Sequence, residues 1–154
     1  MNKQFNAYVQ RLPILAKQLQ ESPPLELTEI SSLHRPGVYS FSESGRVIYL
    51  GRTKNFKKRH TNHCGPSSDH NAASFAFLLA RRETDRVKAS YKKEGSRKAL
   101  MGDPIFLKAF NDAKARIRNM DVRFVEVPDP NLQYLLELYA SMEFMSEHNS
   151  FKTS

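Results

Sequence analysis

The sequence predicts an α/β chain of the α+β type, in which a small three-stranded antiparallel sheet is flanked by helices. Two short runs of β-forming residues, 37–41 and 47–50, are separated by a turn-forming segment, which indicates a β-hairpin. An alternating segment at 122–127 predicts a third strand that joins the hairpin. Apolar residues recur at helical spacing on both sides of these segments.

The N-terminal residues 1–21 predict an amphipathic helix, with a kink or a break at Pro13. Residues 25–33 predict a short connector. We expect the helix to cover one face of the sheet, because an amphipathic helix beside a small domain usually completes its core. Docking of a partner protein is the alternative. The predicted organisation is therefore an extension and connector at 1–32, followed by the main domain at 33–154.

The hairpin and the helix after it follow from local turn and capping residues. Gly45 can take the positive φ that a tight hairpin turn needs, and Gly51 ends the second strand. Asn55 is predicted to cap a helix that begins at Phe56. Further along, 70–80 predicts a buried helix, and His70 lies at its start.

A strongly basic stretch at about 81–103 interrupts the pattern and predicts an insertion. Cations of this kind contact phosphates and give affinity without sequence information. We favour contact with DNA over a merely solvated face. The candidate nucleic-acid-binding residues of the insertion are Arg86, Lys88, Lys92, Lys93, Arg97 and Lys98.

The C-terminal part predicts two more helices around the third strand. Pro104 suits the first turn of one helix, where a missing N–H costs little. Asn131 is predicted to cap the other. The predicted core positions of that last helix are Leu132, Leu135, Leu136, Tyr139 and Met142.

Length, charge and cysteine content limit the kinds of function that the chain can have. The 154 residues suffice for one domain, and the net charge of +8 suggests a polyanionic partner such as nucleic acid. We expect no membrane segment, since no apolar run approaches the length of a spanning helix. The single cysteine, Cys64, excludes an internal disulfide and a cysteine-built zinc site. No secretory leader is visible, so a cytoplasmic protein is the simplest interpretation.

The hairpin and the helix after it also contain most of the candidate catalytic side chains. Hairpin pairing would bring Tyr39 and Tyr49 onto neighbouring strands, and Arg59 and His63 share one helical face. These groups predict a phosphodiester site, although ordinary strand tyrosines and solvated charges would produce the same pattern. The neighbouring candidate phosphate-binding residues are Arg52, Lys54, Lys57 and Lys58.

The spacing of these residues resembles a known signature. The segment 37–39 reads Gly-Val-Tyr, Tyr-Leu-Gly follows at 49–51, and Arg59 comes eight residues after the second glycine. This pattern is similar to that of the GIY-YIG nuclease family, with Val38 and Leu50 in place of isoleucines. The resemblance covers about residues 33–151.

The resemblance implies a metal-dependent DNA endonuclease with a GIY-YIG-like fold. It implies Tyr39 as the general base and Arg59 as the group that stabilises the phosphoryl oxygens, with Tyr49 and His63 orienting water or relaying protons. Glu137 would be the ligand of one Mg²⁺ or Mn²⁺ ion, since such an ion keeps most of its waters. The implied supporting residues are Gly37, Gly51 and Asn149, of which the last would brace the tyrosine side of the site.

Three classes of function follow from these patterns. The first is a metal-dependent DNA endonuclease, the second is a nucleic-acid-binding module that has lost turnover, and the third is a protein-interaction domain. The basic stretch argues against the third class, and the retained carboxylate argues against the second. No second domain that reads DNA sequence is visible, so specificity is expected to come from the insertion, the N-terminal helix, a second subunit in a homodimer or a protein partner.

Overall fold

The computed structural model describes residues 1–86 and 96–149. The chain divides into two compact units. The first contains Met1–Lys58 together with the described residues from Met120 onward, and it holds the sheet. The second is Arg59–Asn119, and its described residues form helices and loops.

The sheet consists of β1 (Gly37–Glu43), β2 (Arg46–Thr53) and β3 (Asp121–Glu126) in the order β2-β1-β3. Both pairs of neighbouring strands are antiparallel, which confirms the predicted three-stranded antiparallel sheet. The hairpin turn between β1 and β2 has positive φ at Ser44 and Gly45, at 53° and 77°. Two positive φ angles are the geometry that matches the twist of a two-residue hairpin. The sheet is therefore specified by local turn chemistry and strand patterning.

Seven helices are found within residues 1–86 and 96–149. Most of them follow the predicted pattern, and α3 is capped by Asn55, whose Oδ1 accepts a hydrogen bond from the N–H of Lys58 at 3.1 Å. No helix in this part of the chain has the length and apolar character to cross a membrane. The helices are α1 (Lys3–Glu21), α2 (Leu27–Ser32), α3 (Phe56–Cys64), α4 (Ser74–Glu83), α5 (Arg97–Met101), α6 (Pro104–Arg118) and α7 (Pro130–Glu143).

In the first unit, α1 and α7 pack on one face of the sheet. α1 passes through Pro13 as one helix, so the break considered from the sequence does not occur. Its apolar stripe lies in the same core as the inward residues of the sheet and of α7, as expected for a covering helix. The central members of this core are Leu12, Leu15, Leu19, Val38, Leu50, Leu132 and Leu136.

In the second unit, α4 and α6 pack through aromatic side chains. The ring of Phe77 lies 5.1 Å from that of Phe106, centroid to centroid. Lys114 is almost fully buried, and its Nζ donates to the carbonyl oxygens of Pro66 and Ser68 at 2.9 and 2.8 Å. The lysine therefore fixes the loop that follows α3. It also donates to two carbonyl groups that would otherwise be buried without a hydrogen-bond partner.

Several elements differ from the sequence expectations. The predicted connector contains the short helix α2, in which the N–H of Glu26 donates to the carboxylate of Glu29. The cap of α7 is Asp129, which accepts from the N–H of Leu132 at 3.0 Å, and Asn131 lies inside the helix. Met142 was expected in the core, but it is 72% exposed, because the buried stripe of α7 lies on another side of the helix.

Candidate active site

The register of the hairpin puts the two tyrosines on one face of the sheet. Tyr39 pairs with Gly51, and Phe41 pairs with Tyr49. Directly opposed residues in an antiparallel pair point to the same face, and so do residues two apart on one strand. Tyr39 and Tyr49 are therefore diagonal neighbours on this face. Tyr39 is only 1% exposed, whereas Tyr49 is half-buried.

Gly51 is required by the close approach of Tyr39. A methyl group at position 51 would collide with the hydroxyl oxygen and the ring of Tyr39. The hydroxyl therefore lies directly against the backbone of β2, a strand at the edge of the sheet. Gly37 is needed for a similar reason, since a Cβ there would strike the carbonyl oxygen of Val125. Steric contacts alone therefore explain why glycine occupies these two positions of the motif.

Aromatic rings hold Tyr39 in place. Its ring centroid lies 5.7 Å from that of Phe41, nearly edge-on, and 5.6 Å from that of Phe56 at the start of α3. Phe56 in turn stacks on Phe124 of β3 at 4.9 Å. Such pairs contribute packing beyond their buried area. The position of the Tyr39 hydroxyl is therefore fixed by three strands and a helix start.

Glu137 is bound to Arg52 on the opposite face of the sheet. Its Oε2 lies 3.0 Å from Nε of Arg52, and the two side chains are 16% and 36% exposed. The guanidinium carbon of Arg52 also lies 3.4 Å from the ring centroid of Tyr134, one turn earlier on α7. Arg52 is thus clamped between a carboxylate and an aromatic ring. The sequence placed Arg52 among the phosphate-binding residues, and it gave no indication of this pairing.

Two consecutive residues of β2 lie next to the candidate groups on the two faces of the sheet. Val38 pairs with Arg52, so Arg52 points to the face covered by α1 and α7. Tyr39 points to the other face, where its hydroxyl lies against Gly51. Gly51 and Arg52 are consecutive. The tyrosine hydroxyl and the ion pair are therefore found at the same position along the edge strand, on its two sides.

Asn149 braces the strand between Tyr49 and Gly51. Its Oδ1 accepts from the N–H of Leu50 and its Nδ2 donates to the carbonyl of Leu50, both at 2.8 Å. The hydroxyl of Ser146 donates to the same Oδ1 at 2.7 Å. An edge strand otherwise offers such groups to water or to another chain. The side-chain amide of Asn149 thus makes the two backbone hydrogen bonds that a residue of a neighbouring strand would make with Leu50, the central residue of the Tyr-Leu-Gly motif.

Arg59 and His63 belong to the second unit, one turn apart on α3. Arg59 is half-buried, and His63 is fully buried with its ring edge-on to Phe75 at 6.3 Å. Burial lowers the pKa of His63 well below its usual value, and the charges of Arg59 and His60 lower it further. His63 is therefore neutral at physiological pH. Its imidazole can hold a proton on one nitrogen and accept a proton on the other.

The predicted phosphate-binding cations have varied surroundings. Lys54 and Lys58 are exposed and Lys57 is half-buried, while Arg86 pairs with Asp103 at 2.7 Å. Lys98 is exposed. The guanidinium of Arg97 lies 5.0 Å from the ring centroid of Phe77. The remaining candidates fall outside the described residues, and these are Lys88, Lys92 and Lys93.

Glu137 is the residue that the sequence predicts as a metal ligand. Within the described ranges, no three carboxylate, histidine or cysteine side chains are grouped in a way that could hold a metal ion. Mg²⁺ does not need such a cage, because it is often held by one or two carboxylates and keeps several waters. Glu137 fits that mode of binding, and the guanidinium on Oε2 is the group with which an ion would compete.

Comparison with known proteins gives only distant structural similarities. No protein-family model matches the chain, and no curated protein matches it. A solved structure of the GIY-YIG N-terminal endonuclease domain of UvrC from Thermotoga maritima, bound to magnesium, is similar at 15% identity and a TM-score of 0.40, over 97% of this chain and 100% of that one. Two Tyr-to-Phe point mutants of the same domain, bound to the divalent cation, give 14% and 12% identity with TM-scores of 0.37 and 0.35. Each of these also covers 97% of this chain. Scores at this level do not assign the chain to that family.

Proposed function

We propose that this chain is a metal-dependent DNA endonuclease that hydrolyses phosphodiester bonds at the Gly51–Arg52 position of the edge strand β2. The observation that carries the proposal is the Glu137–Arg52 pair, a half-buried carboxylate held 3.0 Å from a guanidinium. Phosphodiester hydrolysis needs both kinds of group, an oxygen ligand for a hard cation and a cation for the phosphoryl oxygens. Tyr39 supplies a hydroxyl group, which lies against Gly51 and therefore next to Arg52 along the strand.

Arg52 provides the contact to the substrate. Its planar fork of donors suits a phosphate oxygen as well as a carboxylate. A phosphate bound to Arg52 would therefore take the place of Glu137 as the partner of the guanidinium. That exchange would release the carboxylate at the moment when the substrate arrives. The net charge of +8 favours the approach of a polyanion to this surface.

Glu137 would hold the divalent ion once it is released. A bound Mg²⁺ or Mn²⁺ ion would supply charge neutralisation for the phosphoryl group and a more acidic bound water. Tyr39 would handle the proton at its hydroxyl oxygen, with Tyr49 on the same face beside it. Because Tyr39 is 1% exposed, this role requires the edge of β2 to open when DNA binds. The roles of Arg59 and His63 stay predictions from the sequence.

A second candidate function is a nucleic-acid-binding module without turnover. The same ion pair favours it, since a carboxylate occupied by Arg52 is not available to a cation, and the buried Tyr39 is not available to a substrate. In this alternative, Glu137 would serve to attach α7 to the sheet. The two functions differ in one measurable property, which is metal-dependent cleavage.

The test is cleavage of supercoiled plasmid and of a labelled panel of branched, flapped, duplex and single-stranded DNA. Reactions contain Mg²⁺, Mn²⁺ or EDTA. We expect cleavage with either metal, none with EDTA, and a loss of at least about 100-fold in Glu137→Gln, as is typical when an essential electrostatic group is removed. Glu143→Gln is the matched control, because Glu143 is an exposed glutamate on the same helix. Salt-sensitive DNA binding without cleavage under any of these conditions would establish the second candidate instead.

A further inference from the structure

The first unit contains a groove between the start of α1 and the start of α7. Its volume is about 340 Å³, at the small end of the range of pockets that hold small ligands, ~300–1,000 Å³. It lies beside the Arg52–Glu137 pair, because one of its lining residues is the tyrosine against which Arg52 packs. The lining residues are Asn2, Gln4, Phe5, Tyr8, Asn131, Tyr134 and Leu135.

The groove offers aromatic faces that the core does not use. Tyr134 is 55% exposed and Phe5 is 44% exposed, although both lie on helices that bury other apolar residues efficiently. Phe5 continues the apolar stripe of α1, but the buried part of that stripe begins at Leu12. Proteins that bind single-stranded nucleic acids combine a basic surface with exposed aromatic rings on which the bases stack. The guanidinium at 3.4 Å from Tyr134 adds a second planar group of the same kind.

Polar groups line the same groove. The hydroxyl of Tyr8 donates to Asp129 at 2.6 Å and accepts from the amide of Gln4 at 2.9 Å, so the orientation of Tyr8 is fixed. Asn131 contributes a carboxamide, which combines a donor and an acceptor on one plane, while Asn2 caps α1 by accepting from the N–H of Phe5 at 3.0 Å and keeps its amide donors. Carboxamides of this type pair with the edges of bases. The groove therefore presents the two kinds of contact that a nucleobase makes.

Two arginines lie by the groove, and each has a carboxylate that a phosphate could replace as its partner. Arg52 stands against Tyr134 and is paired with Glu137, and Arg11 is exposed on α1. Arg11 lies one turn after Tyr8 on α1, on the same side of the helix as this lining residue. The pKa of Asp129 is lowered first by the Tyr8 hydrogen bond and also by the charge of Arg11. The net charge of +8 and the exposed rings favour a nucleotide as the occupant over an apolar partner helix.

We infer that the groove binds one unpaired nucleobase of a nucleic-acid strand, stacked against Tyr134 and Phe5, with Arg52 and Arg11 on the adjacent phosphates. This inference rests on the proposed function in taking nucleic acid as the substrate. It narrows that substrate to a strand with an unstacked base, because a paired base inside an uninterrupted duplex has no free face to offer. Single-stranded ends, flaps and mismatches meet that condition.

The experiment uses an oligothymidylate that carries one 2-aminopurine, whose fluorescence is quenched when it stacks. Titrations are made in EDTA, so that binding is measured without cleavage, and an uninterrupted duplex of equal length is the comparison. We expect quenching by the wild-type protein on the single strand and not on the duplex. Tyr134→Leu and Phe5→Ala should each bind about 5- to 100-fold more weakly, the range for loss of one base–aromatic stack.

Two control variants separate stacking from folding. Tyr134→Phe keeps the ring and should quench like the wild type, and Met142→Ala removes an exposed apolar side chain of α7 outside the groove. Circular dichroism and the melting temperature establish that each variant is folded. Unchanged quenching in Tyr134→Leu, equal binding of duplex and single strand, or no binding of either would overturn the inference.

The outcome is separable from that of the cleavage test. A protein that quenches 2-aminopurine through Tyr134 but never cuts DNA would refute the nuclease and leave the base site standing. A protein that cuts DNA, with binding and rate unaffected by Tyr134→Leu, would lose the base site and keep the nuclease.

Discussion

The carboxylate of Glu137 and the guanidinium of Arg52 form an ion pair of 3.0 Å that fastens the last helix to the edge strand of the sheet. Arg52 follows the Tyr-Leu-Gly motif directly, so the pair joins the predicted metal ligand to the hairpin that carries the tyrosines. Under the proposed function, cation binding and DNA binding would both act on this pair. It is therefore the first place at which the proposed function can be tested by substitution.

Removal of the guanidinium should strengthen the binding of a divalent cation to Glu137. We expect Arg52→Met to bind Mn²⁺ about 5-fold or more tightly than the wild type, because two unit charges ~4 Å apart repel by ~1 kcal/mol even in water. Titration calorimetry or the paramagnetic signal of free Mn²⁺ measures the dissociation constant. Arg52→Lys keeps the charge and should resemble the wild type. Mn²⁺ binding that is equally strong in Glu137→Gln would show that the ion is held elsewhere.

Addition of a methyl group at Gly51 should destabilise the protein. In the folded chain this methyl meets the hydroxyl and ring of Tyr39, and overpacking of a rigid site costs about 1–3 kcal/mol. Urea unfolding of Gly51→Ala measures the change. Gly102→Ala is the control, since a Cβ there would have no neighbour closer than 3.4 Å. In a Tyr39→Leu background the cost of Gly51→Ala should shrink, and equal costs in both backgrounds would exclude this clash as the cause.

Loss of the Asn149 side chain should loosen the edge strand at the motif. Asn149→Ala removes both hydrogen bonds to the backbone of Leu50, and we expect a cost of about 1–3 kcal/mol, typical of half-buried polar groups left unsatisfied. Amide hydrogen exchange should accelerate most at Leu50. Asn119→Ala is the control, because its amide donates to one exposed carbonyl within its own helix. Unchanged exchange at Leu50 would count against the brace.

The hairpin was predictable from sequence because its determinants are local. The turn glycine, the runs of β-forming residues and the cap at Asn55 each depend on residues that are close together in the chain. The short helix α2 was missed because it has only 6 residues. It is stabilised by Glu29, whose carboxylate accepts a hydrogen bond from the N–H of Glu26. This is a weaker sequence signal than apolar residues that recur at helical spacing. The cap of α7 could have been found, because Pro130 directly after Asp129 is typical of a helix start.

The candidate site was only partly predictable, for a physical reason. Hairpin pairing indicated that Tyr39 and Tyr49 lie on neighbouring strands, but it could not indicate that Arg52 pairs with Glu137, which depends on how α7 crosses the sheet. Nor could it show that the hydroxyl of Tyr39 is buried against Gly51. Contacts between side chains from distant segments are fixed by packing, and a single sequence carries no direct record of them.

Protonation of His63 should destabilise the protein in mild acid. Its pKa is lowered well below the usual value in the folded protein, first by burial and then by the charges of Arg59 and His60. The unfolded chain takes up a proton near pH ~6.5, where the folded chain does not. Below that pH the unfolded state therefore binds more protons. The stability that neutral His63 contributes is present above pH ~6.5 and is lost as the pH falls.

Urea unfolding between pH 7.5 and pH 5 measures this effect. The free energy of unfolding of the wild type should fall with a slope of up to ~1.4 kcal/mol per pH unit for each such histidine, and burial lowers the pKa of His60 in the same direction. The lowered pKa of Asp103 and of Asp129 acts at lower pH, below ~4, and does not enter this window. His63→Gln should flatten the slope, and Asn62→Gln, which changes a neighbouring side chain of α3 that does not titrate, should leave it unchanged. Parallel slopes in the wild type and His63→Gln would mean that the buried histidine is not the group that titrates.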